Sequence, residues 1–387
     1  MSINTIQLSA MPPLSLYIHI PWCIRKCPYC DFNSHALKNE LPEDEYINAL
    51  IRDLELALPE IWGRPIQSIF IGGGTPSLFS GNAIDKLLTQ IRARVTLSPY
   101  AEITLEANPG TVESAYIKDY SAAGVNRISI GIQSFNDEHL QALGRIHNST
   151  EAQYAIEKVA QHFTNFNLDI IYGLPNQTIG QAEKDIQIAA AFNPTHISAY
   201  NLTIEPNTTF AVAPPENLPD NDLCYEMQDA IIAQLQQSGF QRYEISAYAK
   251  NARESQHNLN YWQFGDYLGI GAGAHSKISF PDRIIRQMRY KHPEKYLSQI
   301  AGAAPIQEQI QVATNDLPFE FMLNALRLCN GVPARLFSDR TGLAFTQIIN
   351  TLLSAEQQQL VSLADNRITP TILGQNFLND LVEKFLN

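Results

Sequence analysis

Between Leu14 and Leu202, short β-branched or apolar runs alternate with longer segments of helical period, the rhythm of βα units around a parallel sheet. The pattern predicts strands over Leu16–Ile20, Ser68–Ile71, Ile103–Ala107, Arg127–Ile132, Asn167–Tyr172 and His196–Leu202. Helices fit between them over Glu43–Leu58, Asn82–Val95, Val112–Ala123, Glu151–Phe163 and Gly180–Phe192, each opened by polar or turn residues. Six such units build either a doubly wound sheet or an incomplete barrel, and both put chemistry in the loops that follow the strands. Unusual residues stand in those loops: three cysteines after the first strand, Gly72-Gly73-Gly74-Thr75-Pro76, Glu106-Ala107-Asn108-Pro109-Gly110, Gln133-Ser134-Phe135 and Gly173-Leu174-Pro175. They form the expected rim of one shared site.

The rhythm lapses after the turn-rich stretch Glu205–Asp220. A helix over Asp222–Ser238 leads to a strand-like Tyr243–Tyr248 and a glycine-rich Gly265–Gly273. From Pro318 the pattern is helical, with a turn near Asp365-Asn366 and a terminal helix over Leu373–Leu386, as in a small, mostly α, winged-helix-like domain. Three units are expected, over 1–215, 216–310 and 311–387.

At 387 residues, 45% hydrophobic and 17% charged, the chain is rich enough in apolar residues to bury one large core or several smaller ones. A formal charge of -12 repels polyanions, and the basic residues of the tail are dispersed rather than lined up, so nucleic acid is an unfavourable partner. No apolar run approaches the ~20 residues of a membrane span, and Met1–Pro13 lacks a basic start followed by an apolar stretch. A cytoplasmic location is therefore expected, with any membrane met only peripherally.

Five cysteines are too few and too uneven for a disulfide framework, and three of them form C-x3-C-x2-C at Cys23, Cys27 and Cys30. A structural zinc site wants four ligands, whereas no second pair lies nearby and His35 reads as a loop residue. Three thiolates on one loop hold three irons of a cubane and leave the fourth open. Cys224 and Cys329 stand alone on amphipathic helices, where a small apolar core role is expected.

With the glycine turn after the second strand, this loop resembles the radical-SAM superfamily. More narrowly, Tyr17-Ile-His-Ile-Pro-Trp-Cys23, Ile71-Gly-Gly-Gly-Thr-Pro-Ser77, Glu106-Ala-Asn-Pro-Gly110, Gly131-Ile-Gln-Ser-Phe135 and Asp169-Ile-Ile-Tyr-Gly-Leu-Pro175 resemble the oxygen-independent coproporphyrinogen III oxidase family from about Pro13 to the C-terminus. The resemblance implies an α/β fold: a partial (βα)6 radical-SAM barrel followed by a mostly α, winged-helix-like domain. It also implies a [4Fe-4S] cluster on Cys23, Cys27 and Cys30. The open iron would chelate S-adenosylmethionine, which an electron from the cluster cleaves to a 5'-deoxyadenosyl radical. Tyr17 and Tyr29 match positions flanking cluster and cofactor. Gly73, Gly74 and Thr75 match the turn that meets the cofactor's amino group. Glu106, Gln133, Arg145 and Asp169 match polar positions on its ribose or carboxylate, or on a second cofactor molecule. Taken singly these residues also have structural readings, the glycines as a turn, Glu106 as a helix cap and Arg145 as a solvated helix residue. Their joint placement at successive strand ends favours the functional one. Thr203 is a weaker candidate at the sixth strand end.

The oxidising enzymes of the family carry a further cysteine two positions after the third, where this chain has Phe32, and they carry an N-terminal extension, whereas this chain begins close to its first strand. Both departures argue against porphyrinogen decarboxylation. Instead His257-Asn-Leu-Asn-Tyr261-Trp262 looks like the heme-chaperone, HemW-type branch. Imidazole is a good axial iron ligand, and Tyr and Trp offer flat apolar area to a macrocycle. The expectation is heme contact at His257, with His275, after Gly269-Ile-Gly-Ala-Gly-Ala274, ranked second. That branch implies heme as cargo and a heme-accepting respiratory protein as partner; oxidation of coproporphyrinogen III is the alternative.

Overall fold

The computed structural model describes residues 6–110, 114–250 and 252–386. Six strands lie side by side and parallel in chain order: β1 (Leu14–Ile20), β2 (Ile66–Gly73), β3 (Leu97–Ala107), β4 (Arg127–Gln133), β5 (Phe166–Tyr172) and β6 (His196–Asn201). The helices α1 (Glu43–Ile61), α2 (Gly81–Arg92), α3 (Ser114–Ala123), α4 (Ser149–Ala160) and α5 (Ile179–Ala191) connect them. Each predicted strand and helix of this half has its counterpart, although Val112 and Glu113, the start of the third predicted helix, lie outside the described residues.

Two-residue alternation sorts the side chains of each strand between two layers. On β1, Leu14, Leu16, Ile18 and Ile20 are buried in the main hydrophobic core, which they share with α1 and α2 residues such as Leu50 and Leu87. The opposite face carries Ser15, Tyr17 and His19, level with Ser68, Phe70 and Gly72 of β2. Thr104 and Glu106, Arg127 and Ser129, Asn167 and Asp169, and His196 and Ser198 continue that row across β3 to β6. The result is an apolar outside under the helices and a polar inner face, the lining of an incomplete barrel.

Residues beyond the sixth unit extend both edges. The hairpin β7 (Gln241–Glu244) and β8 (Ala247–Ala249), after helix α6 (Asn221–Gln237), pairs antiparallel with β6. The chain then crosses to the far edge, where β9 (Asp266–Ile270) runs parallel to β1, and β10 (His275–Phe280), β11 (Arg283–Arg289) and β12 (Ile306–Gln311) complete a twelve-stranded sheet. Glycines hide β9 in the sequence. A Cβ on Gly269 would stand 2.0 Å from the carbonyl oxygen of His275, so the close turn back into β10 needs a residue without one.

On the way across lies helix α7 (Gln256–Trp262), capped by the Ser255 hydroxyl. Its first amides donate to Glu102 Oε1, from Gln256 at 2.9 Å and His257 at 3.4 Å, which seats the helix against the inner face. The C-terminal region packs helices Leu317–Ala325, Arg335–Thr341 and Ile349–Gln357 with a three-stranded sheet of Val332–Pro333, Arg367–Pro370 and Val361–Ser362, the wing that pure helical period does not reveal. Its core also takes in Ile6 and Leu8. The single terminal helix predicted over Leu373–Leu386 is two short ones, Ile372–Asn376 and Leu378–Glu383, broken at Phe377 (φ -113°, ψ 44°). Among the described residues no helix is long and apolar enough to cross a membrane.

Candidate functional site

At the carboxyl ends of β1 to β6 a cavity of about 370 Å³ opens over the inner face. Its wall holds Cys23, Cys27, Cys30, Tyr29, Gly73, Gly74, Thr75, Glu106, Gln133, Arg145 and Asp169, and also Thr203. These residues are drawn from seven separate segments of the sequence.

The two ends of the cysteine loop are pinned to each other. Trp22–Cys23 pairs with His35–Ala36, and the amide of Leu37 donates to the Cys23 carbonyl at 2.8 Å. The amides of Gly74 and Thr75 donate to the carbonyls of Ile20 and Trp22, each at 2.7 Å, so the glycine turn is laced to the start of the loop. A Cβ on Gly74 would sit 2.5 Å from the Trp22 carbonyl oxygen. Gly73, at φ +117°, would bring one within 2.5 Å of the His19 ring. The run of glycines is thus a requirement of close approach between two loops.

All three thiols are free and half-buried. Burial raises those of Cys23 and Cys30 above the ordinary thiol range, whereas a metal that binds the thiolate displaces the thiol proton to solvent. Arg145 brings one cation, with Nη1 3.6 Å from Cys27 Sγ, and is itself held by Asn108 Oδ1 at 2.5 Å and the Gly131 carbonyl at 2.8 Å. Asn108 also donates to Thr75 Oγ1 at 3.0 Å, joining the loops after β2 and β3 to the arginine. Asn108 has no role assignable from the sequence alone, where its place two residues after Glu106 is the available signal.

Across the cavity, Glu106 Oε2 accepts the Gly73 amide at 3.0 Å, and burial pushes its carboxyl up to about 8. Asp169 is also raised by burial, although Ser129 and Asn167 donate to it at 3.0 and 2.9 Å. Gln133 holds a left-handed φ of +71° at the end of β4, an unusual conformation for a non-glycine residue and one that recurs at ligand sites. Two buried carboxyls whose ionisation burial disfavours, a guanidinium and exposed backbone suit a zwitterionic ligand with hydroxyl groups. Among the described residues no three His, Cys, Asp or Glu side chains converge to hold a single metal ion; a cubane asks instead for one thiolate per iron.

A second cavity, about 540 Å³, adjoins the first along Phe32, Gly73 and Glu106. Tyr17 lies here, its hydroxyl 3.0 Å from His19 Nδ1, together with Tyr261, Trp262, Tyr267, His275 and Arg286. His257 lines neither cavity. It is 1% exposed, with Nδ1 3.0 Å from Ser68 Oγ, Nε2 3.0 Å from Tyr261 Oη, and its ring 5.1 Å from that of Phe70. Burial pushes its imidazole down to about 3. The HNxxYW segment is therefore split: His257 and Asn260, whose Nδ2 donates to the Asp266 carbonyl at 2.8 Å, fasten α7, while Tyr261 and Trp262 face the cavity. To meet heme, His257 would have to break both bonds and leave the core.

The chain matches the family model of the radical SAM superfamily over residues 17–189 and that of the HemN C-terminal domain over residues 312–377. It is 49% identical over 384 residues to the heme chaperone HemW of Haemophilus influenzae, covering 97% of this chain and 98% of that one. It is 48% identical to heme chaperone HemW of Escherichia coli, over 97% and 99% of the two chains. Against heme chaperone HemW of Bacillus subtilis the identity is 33%, with 96% and 99% covered. Among solved structures, coproporphyrinogen III oxidase (HemN) from Escherichia coli, a radical SAM enzyme, superposes with a TM-score of 0.81 at 24% identity, covering 97% of this chain and 90% of that one. That likeness establishes the fold, a partial radical-SAM barrel with a C-terminal helical domain.

Proposed function

The chain belongs to the heme chaperone HemW family of radical SAM proteins, and from that membership we propose that it binds heme and hands it to an acceptor protein. The observation that carries the reading is identity of nearly half along 97% of the chain to relatives of that name. Oxidation of coproporphyrinogen is the weaker reading, because Phe32 stands where the oxidising enzymes carry their extra cysteine.

In this reading Cys23, Cys27 and Cys30 would hold a [4Fe-4S] cluster, and Gly73, Gly74, Thr75, Glu106, Gln133, Arg145 and Asp169 would hold S-adenosylmethionine. The donor set fits: three free thiols share one wall, and Gly73, Gly74, Glu106, Gln133, Arg145 and Asp169 bring polar groups and bare backbone to the same space. When bound, a reduced cluster supplies an electron to the sulfonium. The chain's own residues orient and shield: Arg145 would balance the negative charge of a cluster-bound thiolate at Cys27, and Tyr29, half-buried beside it, narrows the access of water on that side. Thiol ligands of this kind need a reducing compartment, which supports a cytoplasmic location.

The test is anaerobic reconstitution with iron, sulfide and heme, followed by incubation with an apo-form of a heme protein. Heme bound one per chain and passed to the acceptor, with no protoporphyrinogen formed from coproporphyrinogen III, is the expected result. Protoporphyrinogen at catalytic rates, or failure to bind heme, overturns it.

A further inference from the structure

We infer that heme seats in the second cavity, with His275 as its iron ligand and Arg286 as the partner of a propionate; this rests on the heme reading above and locates the cargo within it. The cavity falls in the range of roughly 300–1,000 Å³ typical of small-molecule sites. Flat aromatic walls suit a macrocycle. Tyr261 and Tyr267 stand edge to face, 4.6 Å apart, and Trp262 carries the wall onward.

Register puts the polar groups on the same side as those rings. Tyr267 pairs with Lys277, and Lys277 pairs with Arg286. His275 lies two residues before Lys277, so its side chain leaves the same face of the sheet. Of the two histidines that line this cavity, His19 has both nitrogens engaged, with the Tyr17 hydroxyl at 3.0 Å and the Asn33 carbonyl at 2.8 Å. His275 is exposed, and among the described residues its imidazole makes no hydrogen bond. It can turn a lone pair to iron without breaking anything.

The two cations beside it differ in the same way. Lys277 is buried and committed to Asp266 at 2.9 Å, with its ammonium over the Phe264 ring. Arg286 is about a third exposed; Nε and Nη2 pair with Glu320, while among the described residues Nη1 meets only the neutral Tyr267 hydroxyl at 3.1 Å. That edge is the one on which a propionate gains a charge-assisted bond in place of a neutral one.

The experiment is a titration of the anaerobically reconstituted protein with ferric heme and with heme dimethyl ester, read by the Soret band and its affinity. His275→Ala weakens heme binding by about tenfold or more, and millimolar imidazole restores the band, because an added ligand enters the space left by the side chain. His257→Gln leaves the band of the folded protein unchanged. Wild type prefers heme over its dimethyl ester by about tenfold, and Arg286→Met removes that preference. A His275→Ala variant with wild-type band and affinity, in a wild-type protein that does bind heme, overturns this site while leaving the chaperone reading standing. A wild type that binds no heme overturns both.

Discussion

The two cavities share Gly73, Glu106 and Phe32, yet they are made by different rules. The first is assembled from the loops that follow β1 to β6, so its groups converge because parallel strands all end on the same side. The second sets Tyr17 and His19 of β1 against β9 to β11, the end of α7 and the helix Leu317–Ala325, elements brought in from later in the chain and laid against the open edge. One cavity follows from the topology of six parallel strands; the other depends on elements added later in the chain, and Phe32 stands at their shared border.

The largest effect that separates the two comes from the cluster ligands. Cys27→Ala should drop iron and sulfide from about four of each per chain to nearly none after anaerobic reconstitution. Unchanged content would detach the first cavity from its cluster. Next comes the common wall: Gly73→Ala puts a Cβ 2.5 Å from the His19 ring at φ +117°. We expect a stability loss of about 1–3 kcal/mol in chemical denaturation, and weaker binding of S-adenosylmethionine and heme together. Loss of one ligand alone would show that the wall is not shared.

Smaller effects test His257 as a structural residue. Removing a buried ring with two hydrogen bonds should cost about 2–4 kcal/mol in the His257→Ala protein, with heme affinity of the folded fraction kept. Its acid response should follow. The imidazole titrates near 3 when folded and near 6.5 when unfolded. Between those values the unfolded chain binds the extra proton, so stability falls as pH drops below about 6.5, by up to ~1.4 kcal/mol per pH unit for this one group. His257→Gln should flatten that part of the pH dependence in denaturant titrations, and an unaltered slope would mean the ring is already charged or exposed.

Legibility in the sequence divides along the same line. β1 to β6 announce themselves by apolar runs of the right length, and their loop residues by clustering after each run, so the groups around the first cavity could be named before any coordinates. β9 could not, because Gly269 and Gly271 erase its apolar signal and its partner β1 lies some 250 residues earlier. His257 attracted attention for its company in HNxxYW, but helical period separates it from Trp262: one residue turns into the inner face and the other toward the cavity. His275 and Arg286 become neighbours only through the register of β10 and β11, which no local pattern encodes.

In the proposed reading two ligand sites lie side by side, one in each cavity, and can be filled together. Equilibrium dialysis of one reconstituted sample against S-adenosylmethionine and heme at once tests it most directly. Each ligand is expected to reach the occupancy it reaches alone; mutual displacement, with heme lost as S-adenosylmethionine is gained, would contradict two separate sites.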